Sequence, residues 1–169
     1  MGNTANWSYG GYANWTNISD GRFKKNVRED VVGLDFIRRL RPVNYQMDVM
    51  ALSKKLNENR NRETDESMKK AYAEKEKMTW TGFIAQEVEE AARQSNFNFS
   101  GVDKPRNENG VYGLRYAEFV VPLVKAMQEQ QLMITSLERK LQAQLQLNEV
   151  LLKRIELVEA SINKQTTQK

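Results

Sequence analysis

Beyond Tyr116 the chain follows a strict heptad pattern. With Val120 as position a, the a and d positions are Val120, Leu123, Met127, Gln130, Ile134, Leu137, Leu141, Gln144, Asn148, Leu151, Ile155, Val158 and Ile162. Ten of these 13 are apolar over six heptads, and no glycine interrupts the run. Pro122 lies in its first turns, where a helix tolerates proline. The pattern predicts a coiled coil over residues 117–163, followed by a disordered tail at 164–169. A single amphipathic helix packed on its own domain is the alternative reading. At 1.5 Å per residue the run would reach about 60–70 Å, well past any core the rest of the chain can build. Leu145 and Leu152 fall at e, and Met133 and Leu147 at g, so the seam is wider than a dimer buries and favours three or more helices. Gln130, Gln144 and Asn148 lower stability but fix register and strand number. Arg154 at g and Glu159 at e of the following heptad form a candidate interchain pair. Glu149 and Lys153 form an i,i+4 surface pair.

Upstream the pattern changes repeatedly. Residues 1–18 are polar and aromatic, with Trp7, Tyr9, Tyr12 and Trp15 closely spaced. They read either as the end of a strand-and-turn structure or as a loose tail. Asp30 is an N-cap candidate for a helix to about Leu40, with Val31, Leu34, Ile37 and Leu40 toward a core and Pro42 as the stop. Val43, Tyr45 and Met47 alternate with polar residues, as in a half-buried strand. Residues 48–77 are dense in Lys, Glu, Asn and Arg and predict a projecting helical insertion, broken near 57–61, that offers little to a core. A second strand is expected over Met78–Phe83, with Trp80 and Phe83 as core. An amphipathic helix follows over Phe83–Ala92, then a loop over Ser95–Gly110 and a third strand over Val111–Arg115. The fold class is α+β: a small helix/strand body (19–116), a projecting helical insertion and a long C-terminal trimeric coiled coil.

Composition narrows the chemistry. The 169 residues contain no cysteine and no histidine, which excludes disulfides, thiol nucleophiles, histidine bases and thiolate metal sites. No carboxylate cluster stands out, so no metal and no cofactor are expected. No run has the length of a transmembrane helix, and residues 1–18 lack the basic and apolar regions of a signal peptide. Neither a membrane nor a nucleic acid is expected as partner. The net charge of +4 is scattered among acids; Lys24, Lys25 and Arg28, like Arg38, Arg39 and Arg41, read as solvated faces.

Any nucleophile here is a hydroxyl activated by lysine or carboxylate. Ser19 and Lys24 stand five apart in Ile18-Ser19-Asp20-Gly21-Arg22-Phe23-Lys24. This spacing alone is weak, since eight serines and fourteen lysines give about 0.7 such pairs by chance. Ser19-Asp20 also reads as a turn or cap, and Lys24 as a solvated side chain.

The order of blocks is more specific. Ser19-Asp20-x-x-x-Lys24-Lys25-Asn26-Val27 is followed by a helix ending in Leu40-Arg41-Pro42-Val43-Asn44-Tyr45. Then come Gly82-Phe83-Ile84-Ala85-Gln86-Glu87-Val88, Val111-Tyr112-Gly113-Leu114-Arg115-Tyr116, and a helix opening Val121-Pro122-Leu123-Val124-Lys125-Ala126-Met127-Gln128-Glu129-Gln130. This series resembles the C-terminal intramolecular chaperone domain of phage tailspikes, tail fibres and endosialidases, a self-cleaving domain also found in the myelin regulatory factor. The chain departs from the pattern in its longer insertion at 48–77.

The resemblance implies a homotrimer that brings three chains into register, lets the β-rich fibre upstream in the same polypeptide fold, and then cuts itself off. It implies a scissile bond between Ile18 and Ser19, Ser19 as nucleophile, Lys24 as base, and a place in the virion after assembly in the host cytoplasm. Residues 1–18 would be the end of the upstream fibre or tail segment. Asp20 is open between holding a backbone amide and orienting Lys24. Gln86 and Glu87 read first as helix residues and second as support for the site. The alternative function is an uncleaved trimeric component of a phage tail or fibre.

Overall fold

The computed structural model describes residue 12, residues 16–58 and residues 65–166, apart from the side chains of residues 162 and 164–166. Trp7, Tyr9, Trp15, part of the expected break at 57–61, the side chain of Ile162 and the end of the tail at 167–169 lie outside the described residues. Those described form an α+β fold. An extended arm over residues 16–33 contains a single 3-10 turn at Gly21–Phe23. It leads into helix α1 (Leu34–Ile37), strand β1 (Val43–Tyr45), helices α2 (Val49–Lys55) and α3 (Glu66–Glu76), and strand β2 (Trp80–Gly82). Helix α4 (Ala85–Gln94), strands β3 (Val102–Asp103) and β4 (Gly113–Leu114), a 3-10 turn at Tyr116–Phe119 and the long helix α5 (Val120–Thr166) follow.

Helix α1 corrects the sequence reading. It starts at Leu34, not after Asp30, whose carboxylate instead pairs with Arg28 at 3.1 Å. Its cap comes from 95 residues away: Leu34 N–H donates to Glu129 Oε2 of α5 at 2.7 Å. Gly33 lies flat against α5, and a Cβ there would stand 2.6 Å from Ala126 N. The fully buried anchor is Phe36; Val31, Leu34, Ile37 and Leu40 are only half-buried.

Phe36 centres the core. Its ring lies 5.3 Å from Phe97, 4.9 Å from Phe99 and 6.4 Å from Phe119, and Phe83 stacks on Phe119 at 5.4 Å. Val88, Ala91 and Ala92 supply the buried face of α4. The stretch expected to be loop, Ser95–Gly110, therefore contributes core rings and a strand. Asn96, at φ 52°, ends α4 in the left-handed conformation that asparagine adopts at small cost. This turn throws Phe97 and Phe99 back over Phe36. Strands β3 and β4 pair antiparallel, Val102 opposite Leu114.

The two expected outer strands form, shorter than read. β1 and β2 pair antiparallel with Tyr45 opposite Trp80 and Asn44 opposite Thr81, whose hydroxyl donates to Asn44 Oδ1 at 2.8 Å. The insertion leaves from this ribbon as two helices, each capped by an aspartate: Asp48 Oδ1 takes Ala51 N–H and Asp65 Oδ1 takes Met68 N–H, both at 2.7 Å. The insertion also buries a small core of its own. Val49 and Tyr72 are fully buried, and the Tyr72 and Ser53 hydroxyls share a buried 3.0 Å hydrogen bond.

Helix α5 has two unlike faces at its base. Ala126 and Glu129, at heptad positions g and c, face the start of α1, and Ala126 is buried, as is Pro122 at c. Val120, Leu123 and Met127, at a and d, are exposed. The body thus takes the helix by its back and leaves the heptad seam open. Farther along, Ile134, Leu137, Leu141, Leu151, Ile155 and Val158 are exposed too, as are Gln130, Gln144 and Asn148. Gln144 donates to Asn148 Oδ1 at 3.0 Å within the one chain. The helix continues through Thr166, three residues into the stretch read as a tail.

Candidate active site

Local chain geometry brings Ser19 and Lys24 together. Asp20 caps the 3-10 turn: its backbone oxygen accepts from Phe23 N–H at 3.1 Å, and Gly21 O accepts from Lys24 N–H at 3.1 Å. The chain doubles back over these residues, and Lys24 Nζ donates to Ser19 Oγ at 2.8 Å. One such turn spans the spacing of five.

Asp20 holds the turn and not the lysine. Its carboxylate accepts from Arg22 N–H at 2.9 Å and is clasped by the Arg22 guanidinium through Nη2 at 2.6 Å and Nε at 3.0 Å. The guanidinium first, and the backbone amide second, hold the Asp20 carboxyl below the usual aspartate range, and the same pairing raises Arg22. The guanidinium also lies 5.8 Å from the Phe23 ring centre. The pairing of Arg22 with Asp20 was not read from the sequence, although the Asp-x-Arg spacing across a cap was visible.

The arm is open to solvent. Ile18 is 94% exposed, Phe23 77% and Val27 78%. Asn26 takes the left-handed conformation at φ 54° and turns the chain after the lysines. Gln86 and Glu87 stand in the first turn of α4, and neither hydrogen-bonds Ser19 or Lys24 among the described residues. Glu87 instead receives both Nε (3.0 Å) and Nη2 of Arg41, while Gln86 is exposed.

Among the described residues no group of three or more acidic side chains is placed to hold a metal ion, and no helix is long and apolar enough to cross a membrane. The arm itself presents a hydroxyl hydrogen-bonded to a primary amine, with the carbonyl of Ile18 one bond away from the serine nitrogen.

Residues 19–97 match the family model Peptidase_S74, chaperone of endosialidase. The match opens on Ser19, spans the insertion and ends at Phe97, before β3, β4 and α5. No curated protein and no solved structure matches the chain.

Proposed function

We propose that the chain is a trimerising intramolecular chaperone for a phage tail fibre or tailspike, and that it releases itself by cutting between Ile18 and Ser19. The observation that carries this reading is the 2.8 Å contact between Lys24 Nζ and Ser19 Oγ, beside the bond that would break. The family description supplies the chaperone role.

In the proposed reaction neutral Lys24 takes the hydroxyl proton of Ser19, and Oγ attacks the Ile18 carbonyl carbon through a five-membered ring. The Ile18–Ser19 C–N bond breaks as the serine nitrogen gains a proton, leaving an ester between Ile18 and Ser19 Oγ. Water hydrolyses that ester to the Ile18 carboxylate and the free Ser19 hydroxyl. Nucleophile and acyl group share one residue, so proximity costs no substrate binding. The amine must be neutral to accept a proton, and lysine in water near neutral pH is almost wholly charged. Burial between chains favours the neutral form. Assembly through the a/d seam of α5 is therefore the step that activates an arm otherwise open to solvent.

That same exposure supports a second reading, an uncleaved trimeric component of a phage tail or fibre. Intact mass, N-terminal analysis and light scattering separate the two. The first reading expects a trimer whose chains begin at Ser19, with a cleavage rate that rises with pH. Ser19→Ala and Lys24→Ala stay whole and trimeric. Lys24→Arg stays whole as well, because a guanidinium does not give up its proton. A wild-type trimer that keeps the Ile18–Ser19 bond leaves the second reading standing, and a monomer removes both.

A further inference from the structure

The arm that carries Ser19 and Lys24 has few ties to the body. Among the described residues, the hydrogen bonds and ion pairs of residues 16–32 stay within that segment: Ser19 with Lys24, Asp20 with Arg22, and Arg28 with Asp30. Val31 and Val32 are half-buried, and Val32 packs on the aromatic core. Polar connection begins at the arm's root. There Gly33 presses its backbone against Lys125 and Ala126 of α5, and Leu34 N–H donates to Glu129 Oε2 at 2.7 Å in a part-buried contact. Glycine at 33 and an acid at 129 fit each other's need. The glycine lets the start of α1 approach the helix closely enough to be capped, and α1 has no side-chain cap of its own.

Glu129 occupies heptad position c. It faces the body while the a/d seam faces away. The long helix therefore carries two functions on separate faces: one for other copies of itself, one to grip the arm's root.

We propose that Glu129 is a positioning residue for self-cleavage: with Gly33 it locks the root of the Ser19/Lys24 arm to the back of α5, so that the helices' assembly sets where the dyad sits. The inference rests on the self-cleavage reading. It assigns Glu129 no contact with the reacting atoms. Without the lock the root of α1 can swivel, and the dyad samples positions away from the surface that dries Lys24. The turn keeps its own geometry, but Lys24 is dried for a smaller share of the time, and its neutral, proton-accepting form is rarer in proportion. Release of a single hydrogen bond at the root is expected to slow cleavage at least tenfold.

The test uses the full chain, expressed as wild type, Glu129→Ala, Glu129→Gln and Gly33→Ala, with assembly read by light scattering and cleavage by intact mass over time. Glu129→Ala removes the acceptor. Gly33→Ala adds a Cβ 2.6 Å from Ala126 N and forces the two backbones apart. Both should stay trimeric and cut at least tenfold more slowly. Glu129→Gln keeps a carbonyl oxygen at the same reach and should restore most of the rate, which a loss of bulk or general stability would not predict. In an uncut Ser19→Ala background, hydrogen exchange at the Leu34 amide should quicken with Glu129→Ala and much less with Glu129→Gln. Wild-type cleavage rates in trimeric Glu129→Ala overturn the inference alone. Equal slowing in Glu129→Ala and Glu129→Gln, or loss of the trimer in both, also overturns it, because the residue then acts through stability. A wild type that never cuts sinks the self-cleavage reading, and this inference with it, whatever the Leu34 amide does.

Discussion

The arm and the aromatic core are built on opposite principles. Everything that shapes the serine–lysine turn lies within six residues, Ser19 to Lys24, and almost all of it is exposed. The core is assembled from Phe36, Phe83, Phe97, Phe99 and Phe119, whose rings come from four separate stretches of chain. The arm has reactive geometry without an environment; the core is a dry environment without a reactive group. Under the proposed function burial turns the hydrogen-bonded lysine into a base, and the arm's missing environment would come from outside the protomer. The open heptad seam, on the face of α5 that the body leaves free, is where that environment would be assembled.

The largest break in this comparison comes from the seam. In Ile134→Asp/Leu141→Asp, six carboxylates would enter the core of one trimer, each costing several kcal/mol when desolvated without a partner. Sedimentation should give a monomer with the circular dichroism of an intact body. Cleavage should cease even though Ser19 and Lys24 are untouched. A monomeric variant that still cuts would mean the arm needs no borrowed environment.

The core can be attacked without touching the Ser19–Lys24 turn. Phe36→Ala empties the centre of the cluster and is expected to cost about 3–5 kcal/mol, read as a lower denaturation midpoint. Because the turn is held by its own hydrogen bonds, the assembled fraction of this variant should still begin at Ser19. A smaller loss marks the insertion. Tyr72→Phe leaves Ser53 without its buried partner and should cost about 1–2 kcal/mol. No change would return the insertion to the status read from sequence, a projection that offers nothing to a core.

The same contrast governs what could be read from the chain. The long helix α5, the β1–β2 ribbon, α4 and the closeness of Ser19 to Lys24 were legible because each depends on local spacing. What escaped was tertiary. Asp30 looked like a cap, but the real one is Glu129, 95 positions on, and no local pattern announces it. Val31, Leu34, Ile37 and Leu40 had helical periodicity, yet Phe36 took the centre because Asn96 turned Phe97 and Phe99 onto it. A polar stretch with alternating Phe97-Asn98-Phe99 read as loop; the left-handed asparagine before it was the available signal. Tyr72 went unnoticed because a lone aromatic in a charged helix does not raise the apolar pattern, and the Ser53 hydroxyl it meets lies across the hairpin.

The smallest expected effect lies inside the arm and asks how self-sufficient the turn is. Asp20 is the only carboxylate of the Ser19–Lys24 turn, and its pairing with Arg22 lowers its protonation range. A group whose acidity is strengthened by folding stabilises the fold above its ordinary range and loses that contribution as the pH falls through the lowered one. The turn should therefore hold unchanged from neutral pH down to about pH 4, the ordinary aspartate value, and loosen only in more acid solution. Asp20→Asn keeps an oxygen for the Arg22 amide, since asparagine caps about as well as aspartate, but it gives up the guanidinium clasp and the titration. In the uncut Ser19→Ala protein, the Arg22 amide resonance should move with acid when Asp20 is present and stay still in Asp20→Asn. Cleavage by Asp20→Asn at neutral pH should fall by no more than about threefold, because the Lys24 and Phe23 backbone bonds that close the turn remain. A loss as deep as that of Lys24→Ala would mean that Asp20 acts on the dyad itself, and the arm would then be a three-residue site rather than a pair held by a turn.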